Sequence, residues 1–176
     1  MGLVHIYCGD GKGKTSAAVG LAVRAAGCGK RVVIARFLKT DNSGEVEILK
    51  KIPEVTLIPC RKTFGFVRSM DEETKRECAA YHRELFGEAV KLAEHADLVV
   101  FDEIMAAVNY GMGPGRDVLE FLENRPGRDQ TDGLEIVLTG RDPSEKLIAA
   151  ADYVSEICKR KHPFDRGIMA RRGVEY

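Results

Sequence analysis

The stretch Leu3-Val-His-Ile-Tyr-Cys8, Gly9-Asp-Gly-Lys-Gly-Lys-Thr15, then Ser16-Ala-Ala-Val-Gly-Leu-Ala-Val-Arg-Ala-Ala26 decides the fold. Its first part is a short apolar run of strand length, and its last part, from Thr15 to Ala26, is a helix of small and aliphatic residues. The loop between them, Gly9 to Thr15, is rich in glycine and lysine. Glycines let backbone N–H groups turn toward an anion, and the helix N-terminus adds unpaired donors and a favourable dipole. Lys14 then supplies a point charge to phosphates, and the Thr15 hydroxyl is suited to ligate magnesium. The usual spacing puts a glycine where this chain has Cys8, so Gly9 and Gly11 are expected to make the turn. Gly9, Asp10, Gly11, Lys12, Gly13, Lys14, Thr15 and Ser16 form the candidate nucleotide-binding set.

Outward from this unit, apolar runs alternate with helical patterns, which predicts an α/β fold with a mostly parallel sheet flanked by helices. The runs are Leu3–Cys8, Val32–Leu38, Val55–Pro59, Leu98–Phe101, Glu135–Leu138 and Tyr153–Ile157. Most are continuous rather than alternating, as in strands buried on both faces. Asp71 is a good N-cap for a long helix reaching about His95, and Pro143-Ser144-Glu145 fits the first turn of another. Lys39 to Gly44 and Asn109 to Gly115 read as long loops at the carboxyl ends of strands, where open α/β sheets bind ligands. Arg125 to Gly133 reads as a polar connection. The length of 176 residues fits one domain over 1–176, of the P-loop NTPase type.

Leu98-Val-Val-Phe-Asp102-Glu103 is the expected second half of the site. An apolar strand ending in two acids presents Asp102 or Glu103 to hold a metal ion, directly or through water; the alternative is a capping role. Arg141, after another strand, is placed either to clamp a phosphate or to pair with Asp142 or Glu145. The residues alone thus imply ATP or GTP with magnesium, for which manganese is the alternative ion.

Composition narrows the rest. Lys plus Arg and Asp plus Glu are 27 each, and this balance argues against nucleic acid as the main partner. Lys159-Arg160-Lys161-His162 is a local basic run, either an anion patch or a solvated end of an element. The 5 cysteines include no C-x-x-C pair, so neither a disulfide framework nor a zinc site is indicated and a cytoplasmic location is expected. Cys28, Cys78 and Cys158 are expected to pack, and Cys8 beside the loop is the candidate for oxidation. No apolar run reaches membrane-spanning length, and the first strand leaves no room for a signal peptide.

The chain resembles the P-loop ATP:cob(I)alamin (corrinoid) adenosyltransferases of the CobA/BtuR/CobO type over nearly its whole length. The resemblance rests on Gly9–Thr15, the small-residue helix to Gly27, Phe37-Leu-Lys39, Asp97–Ile104, Arg125-Pro126, Leu138-Thr-Gly-Arg141, Lys161–Gly167 and Gly173-Val-Glu-Tyr176. It implies transfer of the 5′-deoxyadenosyl group of ATP to cobalt(I) of a reduced corrinoid, with release of triphosphate. Lys12, Lys14, Thr15 and a magnesium at Glu103 would stabilise the leaving triphosphate, and Lys14 and Glu103 count as catalytic candidates. Phe66, in Thr63-Phe-Gly-Phe-Val-Arg68, matches the family aromatic that displaces the lower axial ligand; a packing role is its alternative. Arg68 stands where a second aromatic is usual. Some members carry an extra N-terminal helix over the site, so the corrinoid pocket here is expected to be more open or covered by a neighbouring subunit. A homodimer and a flavoprotein reductant are further family expectations. The rival readings are a P-loop ATPase or small-molecule kinase, and a non-catalytic ATP- or corrinoid-binding module. They differ from the first in the nucleotide product. His162 is expected to have a structural role.

Overall fold

The computed structural model describes residues 2–65, 67–125 and 133–176, with Arg68 described by its backbone alone. Six parallel strands form one sheet: β1 (Val4–Cys8), β2 (Val32–Arg36), β3 (Val55–Leu57), β4 (Leu98–Asp102), β5 (Glu135–Thr139) and β6 (Tyr153–Glu156). Their spatial order is β3-β2-β4-β5-β1-β6. β5 therefore stands between the strand that feeds the glycine loop and the strand that ends in Asp102, the RecA-like arrangement. All six predicted strands are present; β1, β2, β3 and β6 are trimmed by a residue or two, and β4 and β5 each run one residue further.

Helices cover both faces. On one, the small side of α1 (Lys14–Gly27) packs Ala18, Ala22 and Ala26 onto Ile34, Val100 and Val137, with Leu49 of α2 (Gly44–Leu49) beside them. Alanine at this spacing lets the helix lie close to the sheet, which brings its N-terminus to the strand ends. On the other face lie α3 (Glu72–Ala93), α4 (Ile104–Asn109), α5 (Gly115–Glu123) and α6 (Glu145–Ala150). There Leu85, Phe86, Ile104, Val118 and Leu147 close over Phe101, Ile136 and Leu138. β2 and β4 are buried along their whole length, as their continuous apolar runs require, whereas β6 is exposed throughout because it is an edge strand.

Asp71 caps α3 as expected, accepting the Thr74 amide at 2.7 Å. Ser144 caps α6 by accepting the Leu147 amide at 3.3 Å, so Pro143 precedes the cap instead of occupying the first turn. The predicted loop 109–115 is shorter than the sequence suggests, because Asn109 ends α4 and Gly115 opens α5. Of the predicted connection Arg125 to Gly133, residues 126–132, Pro126 among them, lie outside the described residues. Among the described residues no helix is long and apolar enough to cross a membrane.

Candidate active site

The loop from Gly9 to Thr15 leaves β1 and enters α1 at the carboxyl edge of the sheet. Two glycines are there because another piece of backbone is. A Cβ on Gly9 would stand 2.5 Å from the Ile157 carbonyl oxygen, and one on Gly11 2.6 Å from the same atom. That carbonyl, just past β6, accepts the Gly11 amide at 2.7 Å, and Asp10 accepts the Lys159 amide at 2.8 Å. Lys159's N–H holds the Asp10 carboxyl below its usual pKa. Gly13 differs: nothing crowds its Cβ position, but its φ of 116° is one that side chains disfavour. The predicted role of Gly9 and Gly11 in shaping the loop thus has a concrete cause in the edge strand.

Lys14 is 8% exposed, and its ammonium donates to the Gly11 carbonyl at 2.9 Å, spanning the loop. Burial pulls its pKa below the usual lysine value, with the Glu103 charge opposing that shift. The Thr15 hydroxyl is 3.0 Å from Asp102 Oδ1 and donates to that carboxylate, so its oxygen faces other partners as an acceptor. Asp102 is 2% exposed and has a second hydroxyl donor in Thr139, at 2.7 Å. Lys39 adds a third contact: its Nζ lies 3.4 Å from Asp102 Oδ2 and 3.3 Å from Thr15 Oγ1. A cation therefore already rests on these two oxygen-bearing side chains. Hard oxygen donors of this kind suit magnesium, which takes one or two protein ligands and completes its shell with phosphates and water.

Glu103 follows Asp102 in the left-handed conformation, with φ 58°, and its amide donates to Thr139 Oγ1 at 2.8 Å. This twist ends β4 and turns the Glu103 side chain into the loop's concavity, where it joins Lys12, Lys14, Arg141 and His162 in a hollow of about 220 Å³. Arg141 is exposed at its rim and forms no ion pair with Asp142 or Glu145 among the described residues. His162 accepts the Phe164 amide at 3.2 Å through Nδ1, a turn-capping role in keeping with the structural expectation.

Leu138-Thr-Gly-Arg141 now has a physical meaning the sequence did not supply. Thr139 joins the two acidic positions, and Gly140 leaves room for Met105, whose Cβ would lie 2.6 Å from an added Cβ. Lys39 was visible only as part of the Phe37-Leu-Lys39 resemblance; its place between Thr15 and Asp102 depends on β2 and β4 being neighbours. Leu38 before it also has a left-handed backbone, φ 53°, a conformation costing a leucine about 1–2 kcal/mol.

Two further cavities share a border at Lys39 and Thr40, and the first of them adjoins the loop. One of about 770 Å³ is bounded by Thr15, Ser16, Lys39, Thr40 and the tail residues Gly173 to Tyr176. The other, about 250 Å³, lies under Thr63-Phe64-Gly65 and reaches His82; Lys39 and Thr40 border both. Within the tail, Glu175 accepts from Arg171 through both carboxylate oxygens, and it lines the loop's hollow as well. Phe66 lies outside the described residues.

The cysteine expectations change. Cys8 and Cys78 are buried, and burial raises both thiol pKa values; Cys28 and Cys158 are the exposed ones. Cys8 is therefore a poor target for oxidation, and Cys28 and Cys158 do not pack.

The sequence profile of the family described as ATP:corrinoid adenosyltransferase BtuR/CobO/CobP matches residues 1–176. A corrinoid adenosyltransferase of Escherichia coli strain K12 is 34% identical over 178 residues, covering 99% of this chain and 86% of its own length. Corrinoid adenosyltransferase CobA of Salmonella typhimurium is 34% identical over 177 residues, with 99% and 86% covered. The Pseudomonas aeruginosa corrinoid adenosyltransferase is 31% identical over 178 residues, with 99% and 84% covered. Among solved structures, KaiC-like protein PH0186 from Pyrococcus horikoshii superposes at a TM-score of 0.49 and 17% identity, covering 88% of this chain and 70% of that one. With a profile match along the whole chain and relatives above 30% identity over nearly all of it, this protein belongs to the ATP:corrinoid adenosyltransferase family BtuR/CobO/CobP and is an enzyme of that class.

Proposed function

We propose that the Gly9–Thr15 loop holds the triphosphate of ATP as a leaving group while cobalt(I) of a reduced corrinoid attacks the 5′ carbon. The observation that carries this reading is the pair of cavities meeting at Lys39–Thr40, one beside the phosphate loop and one under the Thr63–Gly65 segment. Two substrates can thus approach each other across a thin wall. In the step, an electron pair on cobalt forms the Co–C bond and the C5′–O bond breaks toward the triphosphate. No proton is abstracted, so no general base is required. The protein's tasks are to align the 5′ carbon with the cobalt and to stabilise charge growing on the departing oxygen.

Lys12, Lys14 and Arg141 surround the hollow and are assigned to the phosphates, with Gly9, Asp10, Gly11, Gly13 and Ser16 shaping and lining the loop. Thr15, with its hydroxyl oriented by Asp102, and Glu103 would hold magnesium or manganese, which when bound neutralises phosphate charge. Lys39 must then yield the position it shares with Thr15 and Asp102, and is free to follow the triphosphate. Phe66 is assigned to the lower face of the corrinoid. A single domain, a homodimer, a flavoprotein electron donor and a cytoplasmic setting complete the proposal.

The test is an anaerobic reaction of ATP, magnesium and chemically reduced corrinoid, followed optically for Co–C bond formation with nucleotide products resolved. Adenosylated corrinoid and triphosphate in equal amounts are expected; ADP and phosphate, or a phosphorylated acceptor, would overturn the reading. Lys14→Ala should abolish turnover even with cobalt already reduced. Near-normal activity of that variant would remove the phosphate assignment.

A further inference from the structure

His82 lies in the middle of α3, 1% exposed, and is too far along the helix to belong to the phosphate loop or the acidic pair. Its two ring nitrogens face different partners. Nδ1 is 2.8 Å from the Met112 carbonyl oxygen, which can only accept, so Nδ1 carries the proton. Nε2 is then an acceptor, and the Leu38 amide donates to it at 3.2 Å. The two partners therefore select one neutral tautomer, and burial favours the same neutral ring.

The amide it accepts belongs to a residue with an uncommon backbone. Leu38 has φ 53°, and the next residue is Lys39, whose Nζ reaches Thr15 Oγ1 and Asp102 Oδ2. β2 ends at Arg36, and Phe37 still pairs with β4 through the Asp102 carbonyl at 2.8 Å. The turn at Leu38 is thus the point at which the chain leaves the sheet and directs Lys39 back over the site. Without an acceptor for its N–H, Leu38 loses the hydrogen bond that offsets its left-handed backbone, and relaxation to an ordinary conformation would re-aim Lys39. Phe37 packs its ring edge against the imidazole at 5.4 Å, and Tyr81 flanks it at 5.8 Å, so the ring has little freedom to follow.

We propose that His82 is a positioning residue for adenosyl transfer: by accepting the Leu38 amide it fixes the backbone twist that brings Lys39 over the Thr15–Asp102 end of the site, from which it reaches the bound triphosphate. The inference rests on reading that pair as the phosphate and metal end of the site. Because Leu38 and His82 also border the smaller cavity, the same hydrogen bond ties the wall between the two cavities to α3.

The test compares His82→Gln, His82→Asn, Lys39→Met and the His82→Asn/Lys39→Met double variant, each as the full chain. Binding of ATP with magnesium is measured by equilibrium dialysis, and folding by thermal melting. Glutamine places an acceptor where Nε2 stood. Asparagine can still donate to Met112 but falls short of Leu38. His82→Asn is expected to weaken ATP binding about tenfold, the low end for losing a group that orients a ligand residue, while His82→Gln stays within about twofold of the parent. In the double variant the His82→Asn effect on binding should vanish, because Lys39 is no longer there to be aimed, while its effect on melting persists. Independent, multiplying losses in binding would overturn the proposal, as would equal binding by the Gln and Asn variants. A Lys39→Met protein that binds ATP normally overturns it by another route, through the assignment of Lys39 itself.

Discussion

Replacing Thr139 by valine should damage both stability and metal use, and the size of the damage follows from two hydrogen bonds. Thr139 is fully buried; its hydroxyl donates to Asp102 at 2.7 Å and accepts the Glu103 amide at 2.8 Å. Valine fills the same space, so the loss is almost entirely polar. Removing a donor from a buried carboxylate costs about 1.5–3 kcal/mol, and leaving a buried amide unsatisfied about 1–3 kcal/mol. The two losses share one site and relax together, so a total of about 3 kcal/mol is the expectation. For a domain of this size that lowers Tm by about 6–12 °C. The Glu103 backbone, held in its left-handed twist by the same hydroxyl, is released as well. Calorimetric melting should show the shift, and magnesium titrations of ATP binding should need about tenfold more metal, as when an orienting partner of a ligand is lost. Thr139→Ser keeps the hydroxyl and should recover most of both effects. If Thr139→Val melts within about 2 °C of the parent and Ser is no better than Val, Thr139 does not hold Asp102 and Glu103 together.

Two other outcomes follow from burial and charge. In the native protein at pH 8, a thiol reagent should modify Cys28 and Cys158 quickly and Cys8, Cys60 and Cys78 slowly, since burial raises the last three and pushes Cys60 to about 11. Rapid reaction of four or five thiols without denaturant would contradict the described packing. Lys14 has a folded pKa below its unfolded value of 10.5, so the unfolded chain binds more protons in that window. Stability of the free protein should therefore gain from Lys14 as pH rises through the lowered value, while ATP affinity falls over the same range as the cation is lost. Lys14→Arg should flatten the affinity profile there, and an unaltered profile would mean that Lys14 is not the titrating group.

Much of this architecture was legible because its strands are buried on both faces and its loop has a fixed chemistry. Each strand shows as an apolar run, and Asp71 announces α3 by its capping chemistry. The helices α2, α4 and α5 were not read: none has a side-chain hydrogen bond at its N-cap, α2 and α4 have only 6 residues each, and α4 starts from a left-handed Glu103. The contributions of Thr139, Lys39 and His82 were hidden for another reason. Each depends on which strands are neighbours, and strand order is set by long-range packing that no local window contains. The edge position of the exposed β6 is equally invisible there.

The way the end of β6 lies against the phosphate loop makes three neighbouring glycines answer to two different constraints, and a deep mutational scan would tell them apart. Positions 9 and 11 should reject even alanine, since the obstacle is the Ile157 carbonyl. Their intolerance would say nothing about nucleotides and would survive in a screen for abundance alone. Position 13 has open space around it and only a conformational demand, so asparagine should be its best substitute. A compensating change at 157 could not relieve the clash, because backbone atoms cannot be mutated away. Variation at the loop would then have to pass through a shift of the whole edge strand, which ties the loop's freedom to change to the least buried strand in the sheet.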